Sequence, residues 1–139
     1  MEKQRIRKIL VPLDGSKNSQ RGLERAIHLA KEHEASLTVI HVIHNIHGAK
    51  GRRKLELEEE MPPSFILLAK KLASENVIPF YNRVLAGDPG HEIVNYANTH
   101  GVDLIVIGAR GLSAFKKIIL GSVSSYVMHT AKAAVMLIK

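Results

Sequence analysis

The chain has 139 residues, 45% hydrophobic and 24% charged, and 20 Lys and Arg against 13 Asp and Glu leave a net charge of +7. That composition is expected of a single globular domain over residues 1–139, not of a disordered or collagen-like chain, and the absence of cysteine excludes disulfides, thiolate zinc sites and cysteine nucleophiles. No apolar run approaches the ~20 residues that span a bilayer, and Met1 to Lys8 holds no apolar stretch of signal length, so a cytoplasmic location without membrane contact is expected.

Ile6 to Leu13 is a short apolar run closed by Asp14-Gly15-Ser16, the pattern of a buried strand entering a turn. From Lys17 to His33 the period changes. Leu23, Ala26, Ile27 and Ala30 fall at i, i+3, i+4 and i+7, the stripe of an amphipathic helix with Ser16 as N-cap. Ser36 to Ile43 is β-branched and apolar, a second strand. Asn45 to Glu60 has no clean period and sets Lys50, Arg52, Arg53 and Lys54 against the run from Glu56 to Glu60; a long flexible connection is expected over 45–60.

Pro62-Pro63-Ser64 opens a helix with an apolar face of Phe65, Leu68, Ala69 and Leu72. Val77 to Leu85 is a weaker strand, which Pro79 places near a sheet edge or at a strand start. Asp88-Pro89 reads as N-cap and first-turn proline of a helix that ends at Gly101. Val102 to Ile107 is the strongest strand signal, Ser122 to Ala131 reads as helix, and Ala134 to Ile138 as a last strand. Alternating helices and near-continuously apolar strands predict an α/β fold, a parallel sheet with helices on both faces. Ligands in such folds sit outside the carboxyl ends of the strands, which directs attention to Leu13-Asp14 and Ile107-Gly108.

Charge is unevenly placed. All 13 acidic residues lie at or before Asp103, and the five basic residues after it (Arg110, Lys116, Lys117, Lys132, Lys139) have no acidic neighbour in that segment. Such a region suits anionic ligands. Aromatics are only 4% and Trp is absent, so the base-stacking surfaces of nucleic-acid binders are missing and nucleic acid is disfavoured as partner. In the same segment Gly108-Ala109-Arg110-Gly111 is followed, nine residues later, by Gly121-Ser122-Val123-Ser124. Gly108 and Gly111 allow close backbone approach and positive φ at a strand exit. Gly121-Ser122 falls where a helix starts, so free N–H groups and the hydroxyls of Ser122 and Ser124 can meet phosphate oxygens. The plainer reading leaves the glycines shaping turns and Ser122 capping a helix.

The spacing of Gly108, Gly111, Gly121 and Ser122 is the G-x2-G-x9-G-[ST] of the nucleotide-binding branch of the universal stress protein family, which the chain resembles over nearly its whole length. Ile9 to Ser16, His41-Val42-Ile43 and Asp103 to Gly108 are similar to the family's first, second and fourth strand regions. The resemblance implies a Rossmann-like, five-stranded parallel sheet of order 3-2-1-4-5 and a homodimer through the last strand, where Ala134-Val135 stands for the family's usual Pro-Val. It also implies a site for ATP, or AMP or ADP, with Mg2+ or Mn2+ held mainly by phosphate oxygens. Pro12, Leu13, Asp14 and Val42 match the adenine and ribose side. Ile107, Gly108 and Arg110 match the path to the phosphates, and Gly111, Gly121, Ser122, Val123 and Ser124 the phosphate cradle.

The function so implied is an ATP-binding stress-response regulator acting as a nucleotide-dependent conformational or interaction switch. The alternatives are slow metal-dependent ATP hydrolysis and a nucleotide-independent dimeric module. Neither G-x-S-x-G nor G-x4-G-K-[ST] occurs, so hydrolase-elbow and P-loop mechanisms lack their parts. His41, His44 and His47 are spaced by three, which on a strand sends neighbours to opposite faces, so no metal site is expected of them.

Overall fold

The computed structural model describes residues 5–44, 48–110 and 121–139. The elements alternate as β1 (Lys8–Pro12), α1 (Lys17–His33), β2 (Ser36–Ile43), α2 (Gly48–Glu60), α3 (Ser64–Glu75), β3 (Phe80–Ala86), α4 (Pro89–Thr99), β4 (Leu104–Gly108), α5 (Ser122–Thr130) and β5 (Ala134–Ile138). The strands form one parallel sheet of order β3-β2-β1-β4-β5. The pleat sends alternate residues to opposite faces. Ile9, Val11, Leu37 and Val39 bury against α1 and α3, while Leu10, Ile40, Ile105 and Ile107 bury against α4 and α5. Burial on both faces is why these strands read as unbroken apolar runs.

Local signals set most helix boundaries. Ser16 Oγ accepts the Ser19 N–H at 3.1 Å and starts α1, whose Leu23, Ala26, Ile27 and Ala30 are all buried. The Asp88 carboxylate accepts the His91 N–H at 3.0 Å and Pro89 fills the first turn of α4. Gly101, at φ 65°, makes the left-handed turn that leads from α4 towards β4. A Cβ on Gly90 would lie 2.8 Å from the Tyr126 ring, so glycine is what lets the N-terminus of α4 lie against α5. No described helix is long and apolar enough to cross a membrane.

Three sequence expectations need correction. The connection expected over 45–60 contains the helix α2, with residues 45–47 outside the described set. Its charges run against the helix dipole, with Lys50, Arg52 and Arg53 near the N-terminus and Glu58 to Glu60 at the other end. Each misplaced end charge costs about 0.3–1 kcal/mol, and an isolated helix of this length is marginal even with good charges. Tertiary anchoring wins: Gly51 is buried and Leu55 packs on the core cluster of α1 and α3. In α3 the buried stripe is Ile66, Ala69 and Ala73, with Phe65 and Leu72 on its flanks and Leu68 at the surface. The strand expected from Val77 begins instead at Phe80, because Val77 turns with φ 55°.

Candidate functional site

Following β1 the chain crosses on one face of the sheet, and following β4 on the other. A crevice therefore opens between the carboxyl ends of these neighbouring strands. It widens into a cavity of about 600 Å3, within the ~300–1,000 Å3 of small-molecule sites. β1 contributes Pro12, with Leu13 and Asp14 just beyond; β4 contributes Ile107 and Gly108, with Arg110 just beyond. Val42 lines it from β2, and Gly121, Ser122, Val123 and Ser124 from the start of α5. Every expected site residue within the described set thus lines one cavity, and Gly111 lies outside that set.

The two ends of the cavity differ chemically. On the β2 side Ile40 and Val42 present apolar walls, to which α4 adds Pro89 and Ile93. At the other end, α5 begins at Gly121 with no side-chain cap. The Gly121 N–H donates to the Ala109 carbonyl at 2.8 Å and the Ser125 N–H to the Gly121 carbonyl at 2.9 Å. Between them the N–H groups of Ser122, Val123 and Ser124 have no partner among the described residues. Three unpaired donors at the positive end of a helix form an anion cradle.

Side chains brace this geometry. The buried Ser124 hydroxyl donates to the Gly108 carbonyl. Its hydrogen is therefore spent inside the protein, which corrects the expectation that this hydroxyl donates to phosphate; the Ser124 backbone N–H keeps that capacity. Asp14 Oδ1 accepts the Ser16 N–H at 2.9 Å, ordering the turn into α1. Asn18, absent from the sequence reading, is buried, accepts the Arg110 N–H at 2.8 Å and donates to the Ile138 carbonyl at 2.9 Å. Gly108 does not have the positive φ expected of it. Its glycine is required by space, because a Cβ there would overlap the Asn18 amide. Gly121 likewise has an ordinary φ of −61°, and a Cβ on it would come within 3.3 Å of the Ala109 carbonyl.

Sequence reasoning missed Ser19, Ile40, His44, Asp88, Pro89 and Ile93 as cavity residues. A signal existed for several: Ile40 shares its face with Val42, and in a parallel sheet every strand-to-helix junction, Asp88-Pro89 included, lies at the same edge. His41 and His44 diverge, His44 lining the cavity and His41 lying against Phe65 on the other face. His47 is outside the described residues, among which no three metal-ligating side chains cluster. The cationic C-terminal segment does not map onto the cavity as a whole. Arg110 lines it, but Lys139 borders a separate, more open groove beside Arg21, Arg25 and His28, and Lys116 and Lys117 are not described.

Residues 5–139 match the family model described as the universal stress protein family. The chain belongs to that family. Its relatives include universal stress protein YxiE of Bacillus subtilis, 33% identical over 95% of this chain and 98% of that protein. Among solved structures, universal stress protein UspA from Lactobacillus plantarum superposes with a TM-score of 0.84 at 28% identity, covering 99% of this chain and 100% of that one. The universal stress protein of Archaeoglobus fulgidus in complex with dAMP shares the fold, with a TM-score of 0.74 at 23% identity over 96% of this chain and 98% of that one.

The contact between Asn18 and Gly108 gives a double-mutant test. Gly108→Ala is expected to destabilise the protein by about 1–3 kcal/mol in urea unfolding, through overpacking. Asn18→Ala is expected to cost about 1–3 kcal/mol by stranding the Arg110 N–H, while the Ile138 carbonyl keeps the Ala109 N–H at 2.8 Å. In the Asn18→Ala background the alanine at 108 should cost less than about 0.5 kcal/mol, so additive losses would contradict the proposed contact.

Proposed function

We propose that the cavity binds an adenine nucleotide, ATP foremost with ADP or AMP as lesser ligands, and that occupancy sets what the protein contacts. The observation that carries this reading is the pairing, in one cavity, of an apolar pocket with three helix N–H groups that have no partner among the described residues. A flat apolar base suits the space between Ile40, Val42, Pro89 and Ile93. Asp14 stands between the two ends, where a carboxylate can accept from ribose hydroxyls. Phosphates suit the α5 cradle, with Arg110 nearby as counter-charge. The dAMP complex of the Archaeoglobus fulgidus protein supports the ligand class. A Mg2+ or Mn2+ ion accompanying a triphosphate would be held by phosphate oxygens and water. Such a ligand fits the cytoplasmic location expected of the sequence.

The switch would act through α5, whose first turn meets the phosphates and whose chain continues directly into β5. β5 is the last strand of the sheet order, with Val135 to Ile138 only half-buried, which supports pairing with a second copy through that edge.

Calorimetry with Ser122→Pro tests the cradle. Proline is favoured at the first helical position, and Gly121, at φ −61° and ψ 154°, already has the backbone that precedes proline. The substitution thus removes both donors of Ser122, its N–H and its hydroxyl, while keeping the helix. ATP affinity should fall about tenfold while adenosine affinity is unchanged. Unchanged ATP binding in the variant, or no ATP binding by the wild-type protein, would overturn the reading. Sedimentation velocity should show a dimer whose dissociation constant changes with ATP; a monomer, or a dimer indifferent to nucleotide, contradicts the switch.

A further inference from the structure

His41 lies on the face of β2 opposite Ile40 and Val42, away from the cavity, yet it touches the cavity wall from behind. Its Nδ1 is 2.9 Å from the Leu13 carbonyl oxygen. A carbonyl only accepts, so Nδ1 carries the hydrogen and donates. The Leu13 N–H donates to the Ile40 carbonyl at 2.9 Å. Both backbone groups of Leu13 are therefore tied to β2, one through the ladder and one through a side chain. Leu13 and Asp14 form the wall that faces the ligand space.

The ring is itself held. Phe65 of α3 meets it edge-on at 5.1 Å between centroids, and Nε2 lies 3.4 Å from Glu58 Oε2 of α2. Glu58 Oε2 is shielded from solvent and has no hydrogen-bond partner among the described residues, so the imidazole is the polar group that lies against it. Leu13 and Glu58 thus bracket the imidazole, one at each ring nitrogen, and α2 meets the ring on the side away from the cavity wall. Gly51, Leu55 and Glu58 fall at i, i+4 and i+7, one face of α2, so the helix reaches the core through the same stripe that holds His41.

We propose that His41 is a positioning residue for the nucleotide site, fixing the Leu13 carbonyl and hence the Leu13–Asp14 wall, and that Glu58 couples helix α2 to the cavity through it. This rests on the nucleotide-binding reading above. It gives α2 a consequence for the ligand: displacing the helix frees the imidazole, and the strand exit loses one of its two ties.

Two isosteres separate positioning from packing. Asparagine at 41 places its amide nitrogen near the Nδ1 position, and glutamine places it near Nε2. His41→Asn, which keeps the bond to Leu13 and gives up the Glu58 contact, should weaken ATP binding about threefold, and His41→Gln, which gives up the bond to Leu13, about five- to tenfold, the worth of one hydrogen bond. Glu58→Gln should weaken it about threefold. Without nucleotide, the 13C resonance of the Leu13 carbonyl should shift in His41→Gln and, by less, in Glu58→Gln and His41→Asn. Equal losses in the two His41 variants, or an unmoved Leu13 carbonyl in His41→Gln, would overturn the proposal. If wild-type protein binds no ATP, the nucleotide reading fails by itself, and the carbonyl resonance still decides whether His41 holds the wall.

Discussion

The buried side-chain amide of Asn18 joins three parts of the chain that are far apart in sequence. Its oxygen accepts the Arg110 N–H beyond β4, its nitrogen donates to the Ile138 carbonyl at the end of β5, and its backbone belongs to the first turn of α1. A planar amide with both ends paired allows one orientation, so α1, the β4 exit and the β5 end share a fixed geometry. Gly108 must be glycine to admit it, and the Ser124 hydroxyl closes the same corner by donating to the Gly108 carbonyl. The mouth of the cavity and the direction of the α5 N-terminus follow from that corner. Leaving the Arg110 N–H unpaired would cost about 1–3 kcal/mol, a large share of a domain's ~5–15 kcal/mol, so the arrangement is unlike a loop that drifts.

Much of this was legible in the sequence wherever the cause is local. Ser16 and Asp88 cap helices through bonds to residues three positions on, and Leu23 to Ala30 announce a buried stripe by spacing alone. The strand exits at Leu13-Asp14 and Ile107-Gly108 follow from alternating elements, and both lie at the cavity. Asn18 and His41 were not legible, because their partners are 92, 120 and 28 residues away and neither breaks a local rule. Gly108 was legible as a special position for the wrong reason: the expected turn conformation is absent, and the crowding by Asn18 that replaces it depends on a distant helix.

Helix α2 shows the reverse case, where local signals point away from what forms. Its charge order opposes the dipole and its apolar stripe is thin, so propensity predicts a loop. A buried Gly51, a half-buried Leu55 and the Glu58 contact to His41 supply what the segment lacks alone. Net charge misleads in a related way. The cationic C-terminal segment reads as one field, whereas the fold sends Arg110 and Lys139 to different clefts. What the cavity offers an anion is chiefly a helix terminus, which carries no formal charge and is invisible to a count of Lys and Arg.

The central claim is that one cavity holds the base at its apolar end and the phosphates at the start of α5. Amide and methyl chemical shifts recorded during titration with ATP and, separately, with adenosine test it most directly. ATP should move the Ser122, Val123 and Ser124 amides together with the Ile40, Val42 and Ile93 methyls, and adenosine should move the methyls while leaving those amides in place. ATP-induced shifts confined to Arg21, Arg25 and Lys139 beside β5, or absent throughout, would contradict it.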